Sequence, residues 1–159
     1  MRKILVAIDG SGCASRAIKY AGEQFSGMRD LSLTLLHVLP SLPPRFWDDG
    51  HLLSKEEKEE RQAVVARWIE NQMLVTEPMF QSAVEDLTQR GIQSEQIERK
   101  IIYDSTDAAT SILEEARDGG YLTLVLGRCG FYRIGERLIG STASSIIQRG
   151  AGLAICVVE

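Results

Sequence analysis

Cysteine is scarce and shows no pairing pattern. Cys13, Cys129 and Cys156 are an odd number with no CxxC spacing. That argues against a disulfide framework and fits reduced thiols in a cytoplasmic protein. Histidine is scarcer still. His37 and His51 are too few to complete a metal cluster with those cysteines. Positive charge is not in excess: 18 Lys and Arg face 22 Asp and Glu, for a net charge of −4. A nucleic-acid binder is therefore not expected, since it would usually show a basic face. No apolar run approaches the roughly 20 residues that span a membrane. The start, Met1-Arg2-Lys3-Ile4, is too short and too charged before its first strand to read as a signal peptide. No Gly-Lys-Ser/Thr occurs, which disfavours a P-loop kinase or GTPase. No general base is paired with a nucleophile in the pattern, so fast hydrolysis is not predicted and a dedicated enzyme is not expected.

What is present is an α/β pattern. At 159 residues and 44% hydrophobic, the chain reads as one domain over 1–159. A chain of roughly 150 residues buries about two-thirds of its unfolded surface without staples. Ile4 to Ile8 is a continuous apolar run, read as a buried parallel strand. Further strands are predicted at Leu31 to Leu39, Ile97 to Tyr103, Tyr121 to Leu126 and Leu153 to Val158. Between them the apolar spacing is helical. A helix from Ala14 to Phe25 presents Ala14, Ala17, Ile18 and Ala21. One from Ala108 to Arg117 presents Ala109, Ile112, Leu113 and Ala116, and a last one runs from Ser141 to about Arg149. Ser54 and Glu57 form a capping box that opens a long helical pattern. Pro78 predicts a break near Thr76 and a second helical stretch to about Arg90, ended by Gly91. The loop from Pro40 to Leu53 carries Phe46 and Trp47, expected either to pack on the neighbouring helix or to form a flap. His37 is expected to be a hydrogen-bonded core residue. The alternation β-α-β-α-β-α-β-α-β predicts a five-stranded parallel sheet with helices on both faces. Ligands of such sheets bind beyond the C-terminal strand ends, where the strand order reverses.

The stretch from Leu126 to Thr142 carries the chemistry. It holds four glycines, three arginines (Arg128, Arg133, Arg137) and the pair Ser141-Thr142 before a helix. Glycine permits close backbone approach to a ligand. A helix start opened by Ser-Thr offers free amides and a favourable dipole to an anion, most often phosphate. A dinucleotide fingerprint nearly appears at Gly10-Ser11-Gly12-Cys13-Ala14-Ser15. Its third glycine is missing, and the second strand ends in His37-Val38-Leu39 without a ribose-binding acid.

The spacing Gly127, two residues, Gly130, nine residues, Gly140-Ser141 resembles the G-x2-G-x9-G-[ST] motif of ATP-binding members of the universal stress protein family. Ile4 to Ser11, with Arg16-Ala17 and Tyr20-Ala21, is similar to the family's N-terminal signature. Leu36-His37-Val38 resembles the end of its second strand, and Asp107, Ala109 and Ile112 the start of its third helix. The resemblance implies an open, doubly wound sheet of the adenine nucleotide alpha hydrolase-like kind. It also implies a nucleotide-responsive regulator of the stress response that binds ATP. Asp9, at the end of Ala7-Ile8-Asp9, would accept from the ribose hydroxyls. Val38 would hold adenine through its backbone. Gly127 and Gly130, entered from Leu126, would let the loop wrap ribose and phosphates, and Gly140, Ser141 and Thr142 would donate to the outer phosphates. Arg128, between the two motif glycines, is either a phosphate ligand or, like Arg133 and Arg137, solvated surface. Mg²⁺ or Mn²⁺ would bridge phosphate oxygens, needing few protein ligands. Slow hydrolysis or autophosphorylation is compatible with the resemblance. A homodimer through the C-terminal strand and a regulatory protein partner of unknown identity are implied as well. Gly12, Ala14, Thr106 and Leu122 depart from the family's commonest residues, at positions with no implied ATP contact. Cys13 and Cys129 would border the site if the first and fourth strands are neighbours, giving either a redox-sensitive site or inert thiols. The alternatives are a nucleotide-independent interaction module on the same fold, or a nucleotide-dependent transferase. For the transferase, the signatures His-x-Gly-His and Ser-Gly-Gly-x-Asp-Ser are both absent.

Overall fold

The computed structural model describes residues 1–41, 53–103, 105–128 and 139–159. The expectations for Phe46, Trp47, Cys129, Gly130, Arg133 and Arg137 lie outside these residues. Five strands form one parallel sheet: β1 (Arg2–Ala7), β2 (Leu31–Val38), β3 (Ile97–Ile102), β4 (Thr123–Gly127) and β5 (Ala154–Val158), in the order β3-β2-β1-β4-β5. Helices α1 (Gly12–Phe25), α2 (Lys55–Gln89), α3 (Ala108–Asp118) and α4 (Ser141–Arg149) connect them. The sheet is doubly wound, as the alternation predicts.

The continuous apolar runs follow from burial on both faces. Along β1, Ile4 and Val6, followed by Ile8, join Leu33, Leu35 and Val125 in a core beneath α1 and the end of α2. Leu5 instead points to the opposite core, with Leu36, Leu124 and Leu126 under α3 and α4. The helices meet the sheet through the stripes that their spacing predicts. Ala14, Ala17, Ile18 and Ala21 of α1 are buried, as are Ala109, Ile112, Leu113 and Ala116 of α3. Thr34, a fully buried polar residue at the centre of the sheet, is satisfied by the Tyr121 hydroxyl at 2.9 Å.

The predicted break at Pro78 does not occur. α2 is one helix of 35 residues, spanning roughly 52 Å at ~1.5 Å per residue. Proline removes the donor to the carbonyl four residues earlier, here Leu74. Leu74 and Pro78 are both exposed, so the carbonyl left without a helical donor lies on the solvent side. Thr76, Phe80, Ala83 and Leu87, the buried residues of α2, straddle the proline and hold that half of the helix on the sheet. The capping box at Ser54 and Glu57 forms as predicted.

Asp107 caps α3, accepting from the Thr110 amide at 2.9 Å. Hydrogen bonds from the Thr110 side chain and backbone, and then from Arg149, hold its carboxyl below the usual carboxylate range. A carboxyl depressed in the folded state stabilises it above the unfolded pKa. That contribution is lost as pH falls through the folded value. Asp107→Ala is therefore expected to cost about 1 kcal/mol at neutral pH. In urea titrations its deficit should shrink below the ordinary carboxylate range. A deficit that stays constant down to strong acid would show that the charge of Asp107 contributes nothing.

Candidate functional site

The strand order reverses between β1 and β4. The chain winds outward through β2 and β3 on one side, then through β4 and β5 on the other. Parallel strands that diverge at this point leave a crevice beyond their C-terminal ends. A cavity of about 1050 Å³ opens there. Ala7, Ile8, Asp9, Val38, Leu126, Gly127, Arg128, Gly140, Ser141 and Thr142 all line it. Every residue implied at the sequence level and described by the structure is thus brought to one place from four separate parts of the chain.

Asp9 leads from β1 into α1. Its Oδ1 accepts from the Ser11 amide at 2.9 Å, and the Ser11 hydroxyl in turn caps α1 by accepting from the Ala14 amide at 3.2 Å. Gly10, between them, has a φ of 76°, a left-handed conformation in which glycine is at ease. Asp9 is thus a turn-forming residue as well as a cavity-lining one. Among the described residues, no hydrogen bond reaches its Oδ2.

Val38 owes its availability to His37. Alternation along β2 sends the Leu39 amide to the Ile102 carbonyl of β3 (2.9 Å) and the Leu36 carbonyl to the Ile8 amide beside β1 (2.8 Å). The Val38 N–H and C=O therefore face the β1 side, past the end of that strand. The Ile8 carbonyl, the acceptor that a longer β1 would offer Val38, is taken by His37 Nδ1 at 2.8 Å. The Val38 backbone has no partner among the described residues. His37 is half-buried with an edge-to-face contact to Phe80 at 6.5 Å. It is a hydrogen-bonded residue, as expected, and also part of the cavity wall.

The start of α4 corrects one expectation. A Ser-Thr pair at a helix start is expected to cap it; here the N-cap is Gly140, and among the described residues no side chain caps the helix. The Gly140 amide is already used, donating to the Arg128 carbonyl at 2.7 Å. Among the described residues, the amides that follow, at Ser141 and Thr142, have no acceptor, and the positive end of the helix dipole lies behind them. Gly127 also has a structural role. A Cβ there would lie 2.6 Å from the Cys13 carbonyl carbon and 2.7 Å from its Cβ. The first and fourth strands are neighbours, the first turn of α1 packs directly on the end of β4, and Cys13 lies beside Gly127. Cys156, by contrast, is half-buried against the core beneath α1.

Sequence reasoning missed part of the wall. Ser105 is buried and bonds Ser111 Oγ at 2.8 Å, while its carbonyl accepts from Ser41 Oγ at 2.8 Å. This links the exits of β2 and β3 to α3, which adds Ala108 and Ile112 to the cavity. Thr76, Met79 and Ala83 of α2 extend it on the α1 side. Nothing in the local pattern of these residues marks them. Only the register of β2 and β3, and the continuity of α2, bring them in. Among the described residues, no group of three or more His, Cys, Asp or Glu could hold a metal ion, and no helix is long and apolar enough to cross a membrane.

The model of the universal stress protein family matches residues 1–151. The chain belongs to the universal stress protein family. Solved structures share its fold at low identity. The universal stress protein UspA from Lactobacillus plantarum is 18% identical, with a TM-score of 0.72 over 99% of this chain and 97% of that one. A universal stress protein in complex with cAMP is 16% identical, with a TM-score of 0.66 over 99% and 96%. The universal stress protein from Archaeoglobus fulgidus in complex with dAMP is 19% identical, with a TM-score of 0.58 over 100% and 98%. A comparison with curated proteins finds no match.

Proposed function

We propose that this universal stress protein binds ATP in the crevice between β1 and β4 and acts as a nucleotide-responsive regulator, not as a dedicated catalyst. The observation that carries the reading is the meeting, in one cavity, of Asp9, Val38, Gly127 and the start of α4, where among the described residues the Val38 backbone has no partner and no side chain caps the helix. Their chemistry divides along the nucleotide. Val38 offers one donor and one acceptor to the adenine edge, Asp9 a carboxylate oxygen to the ribose, and Ser141 and Thr142 amides and hydroxyls to the phosphates. Gly130 completes the glycine motif in sequence. Two family members of the same fold hold adenine nucleotides, cAMP and dAMP. The donors here fit a polyphosphate, and Mg²⁺ or Mn²⁺ would be held chiefly by phosphate oxygens. The metal would supply charge neutralisation and geometry.

The reading extends to a single cytoplasmic domain over 1–159 that pairs through β5. That strand lies at the edge of the sheet, with no neighbour on its outer side among the described residues, and an edge of this kind is a liability unless covered. Native mass spectrometry of freshly purified protein is expected to find ATP. After nucleotide removal, ATP added at a hundred times its dissociation constant should stabilise the fold by about 2.7 kcal/mol. For a chain of this size that is a rise of roughly 5–10 °C in Tm. Neither co-purified nucleotide nor a shift would favour a nucleotide-independent interaction module, and an adenylylated product would favour a transferase.

A further inference from the structure

We propose that Glu159 sets how strongly the site prefers a charged, phosphate-bearing ligand, by holding Arg128 in an ion pair that such a ligand must share or displace. The proposal rests on the nucleotide reading above and adds a residue that neither the glycine motif nor the cavity wall includes. Arg128 is fixed at both ends of its peptide. Its amide donates to the Val158 carbonyl at 2.8 Å, and its carbonyl accepts from the Gly140 amide at 2.7 Å. The residue therefore joins the end of β5 to the start of α4. Its side chain pairs with Glu159, Nη2 to Oε1, at 2.6 Å. Arg128 lines the same cavity as Gly140, Ser141 and Thr142, and its carbonyl holds the residue that precedes the Ser141 amide.

A guanidinium has five donors and can face two anions. A second, multiply charged anion beside the Glu159 carboxylate, however, adds like-charge repulsion. Ligand charge and the Arg128–Glu159 pair are thus coupled, and the coupling is reciprocal: the factor by which the Glu159 carboxylate weakens phosphate binding is the factor by which bound phosphate weakens the pair. The size is bounded by exposure. Arg128 and Glu159 side chains are 35% and 77% exposed, and pairs of this kind are weak, so a change of about two- to five-fold is expected. Adenosine carries no phosphate and should be indifferent.

The test is titration calorimetry of adenosine and ATP with the full chain, in wild type, Glu159→Gln, Arg128→Ala and the double variant, in magnesium at low salt. Glu159→Gln should tighten ATP about two- to five-fold and leave adenosine unchanged. Arg128→Ala should weaken ATP, and in its background Glu159→Gln should have no further effect. Three results overturn the proposal. Glu159→Gln could leave ATP affinity unchanged. It could shift adenosine equally. Or it could tighten ATP by the same factor without Arg128, which would be general charge repulsion. Wild type that binds ATP but shows one of these results removes the ion-pair proposal alone. Wild type that binds neither ligand removes the nucleotide reading and the proposal with it.

Discussion

Gly140→Leu is expected to abolish ATP binding, by at least about a hundred-fold, while leaving the fold in place. The backbone at Gly140 has φ −62° and ψ 157°, an extended conformation open to any L residue. Glycine is not needed there for its conformational freedom. Its amide bond to the Arg128 carbonyl survives substitution. What a side chain would change is access to the Ser141 and Thr142 amides, which no cap among the described residues competes for. Glycine is a better N-cap than leucine, so a cost of up to about 1 kcal/mol is expected, or roughly 2–4 °C in Tm. Circular dichroism and thermal melting report the fold; calorimetry reports the ligand. If ATP affinity stays within about three-fold of wild type, the phosphates are not at the start of α4. If the protein fails to fold, Gly140 is a structural residue.

Gly127→Ala should produce the opposite pattern, a loss of stability first. Two of the three atoms nearest the added methyl would belong to the Cys13 backbone, at 2.6 and 2.7 Å. These cannot move as the tip of a flexible side chain would. Relief requires α1 to lift from the end of β4, and overpacking of this kind costs about 1–3 kcal/mol. A fall of several degrees in Tm is expected without any ligand. ATP binding should weaken as a consequence, because the turn from Asp9 to Ser11 moves with the start of α1. Melting of the nucleotide-free protein is the deciding measurement. Stability equal to wild type would mean that Gly127 is glycine for the ligand's sake alone. The two glycines belong to one motif, yet only the structure separates their roles.

What is legible in the sequence and what is not divide along the same line. Periodicity reads local burial, and it locates the strands and the apolar faces of α1 and α3 within a residue or two. Those patterns are imposed by the pleat of a strand and the 3.6-residue turn of a helix. The glycine spacing and the residues around Asp9 and Val38 are also legible, and every one of those that the structure describes lines one cavity. Periodicity fails at Pro78. Whether a proline interrupts a helix depends on which face it occupies and on how firmly the flanking residues are anchored. Phe80, Ala83 and Leu87 supply that anchorage through contacts distant in sequence.

By itself, the sequence determined the α/β alternation, the faces that are buried and the glycine motif that points to a phosphate. These rest on local periodicity and residue chemistry. The tertiary structure alone decided four other matters. It put β1 beside β4, gave the Ile8 carbonyl to His37 and so left the Val38 backbone without a partner among the described residues, assigned the cap of α4 to Gly140, and paired Arg128 with Glu159. Each depends on the register and order of strands far apart in the chain, which no local pattern encodes.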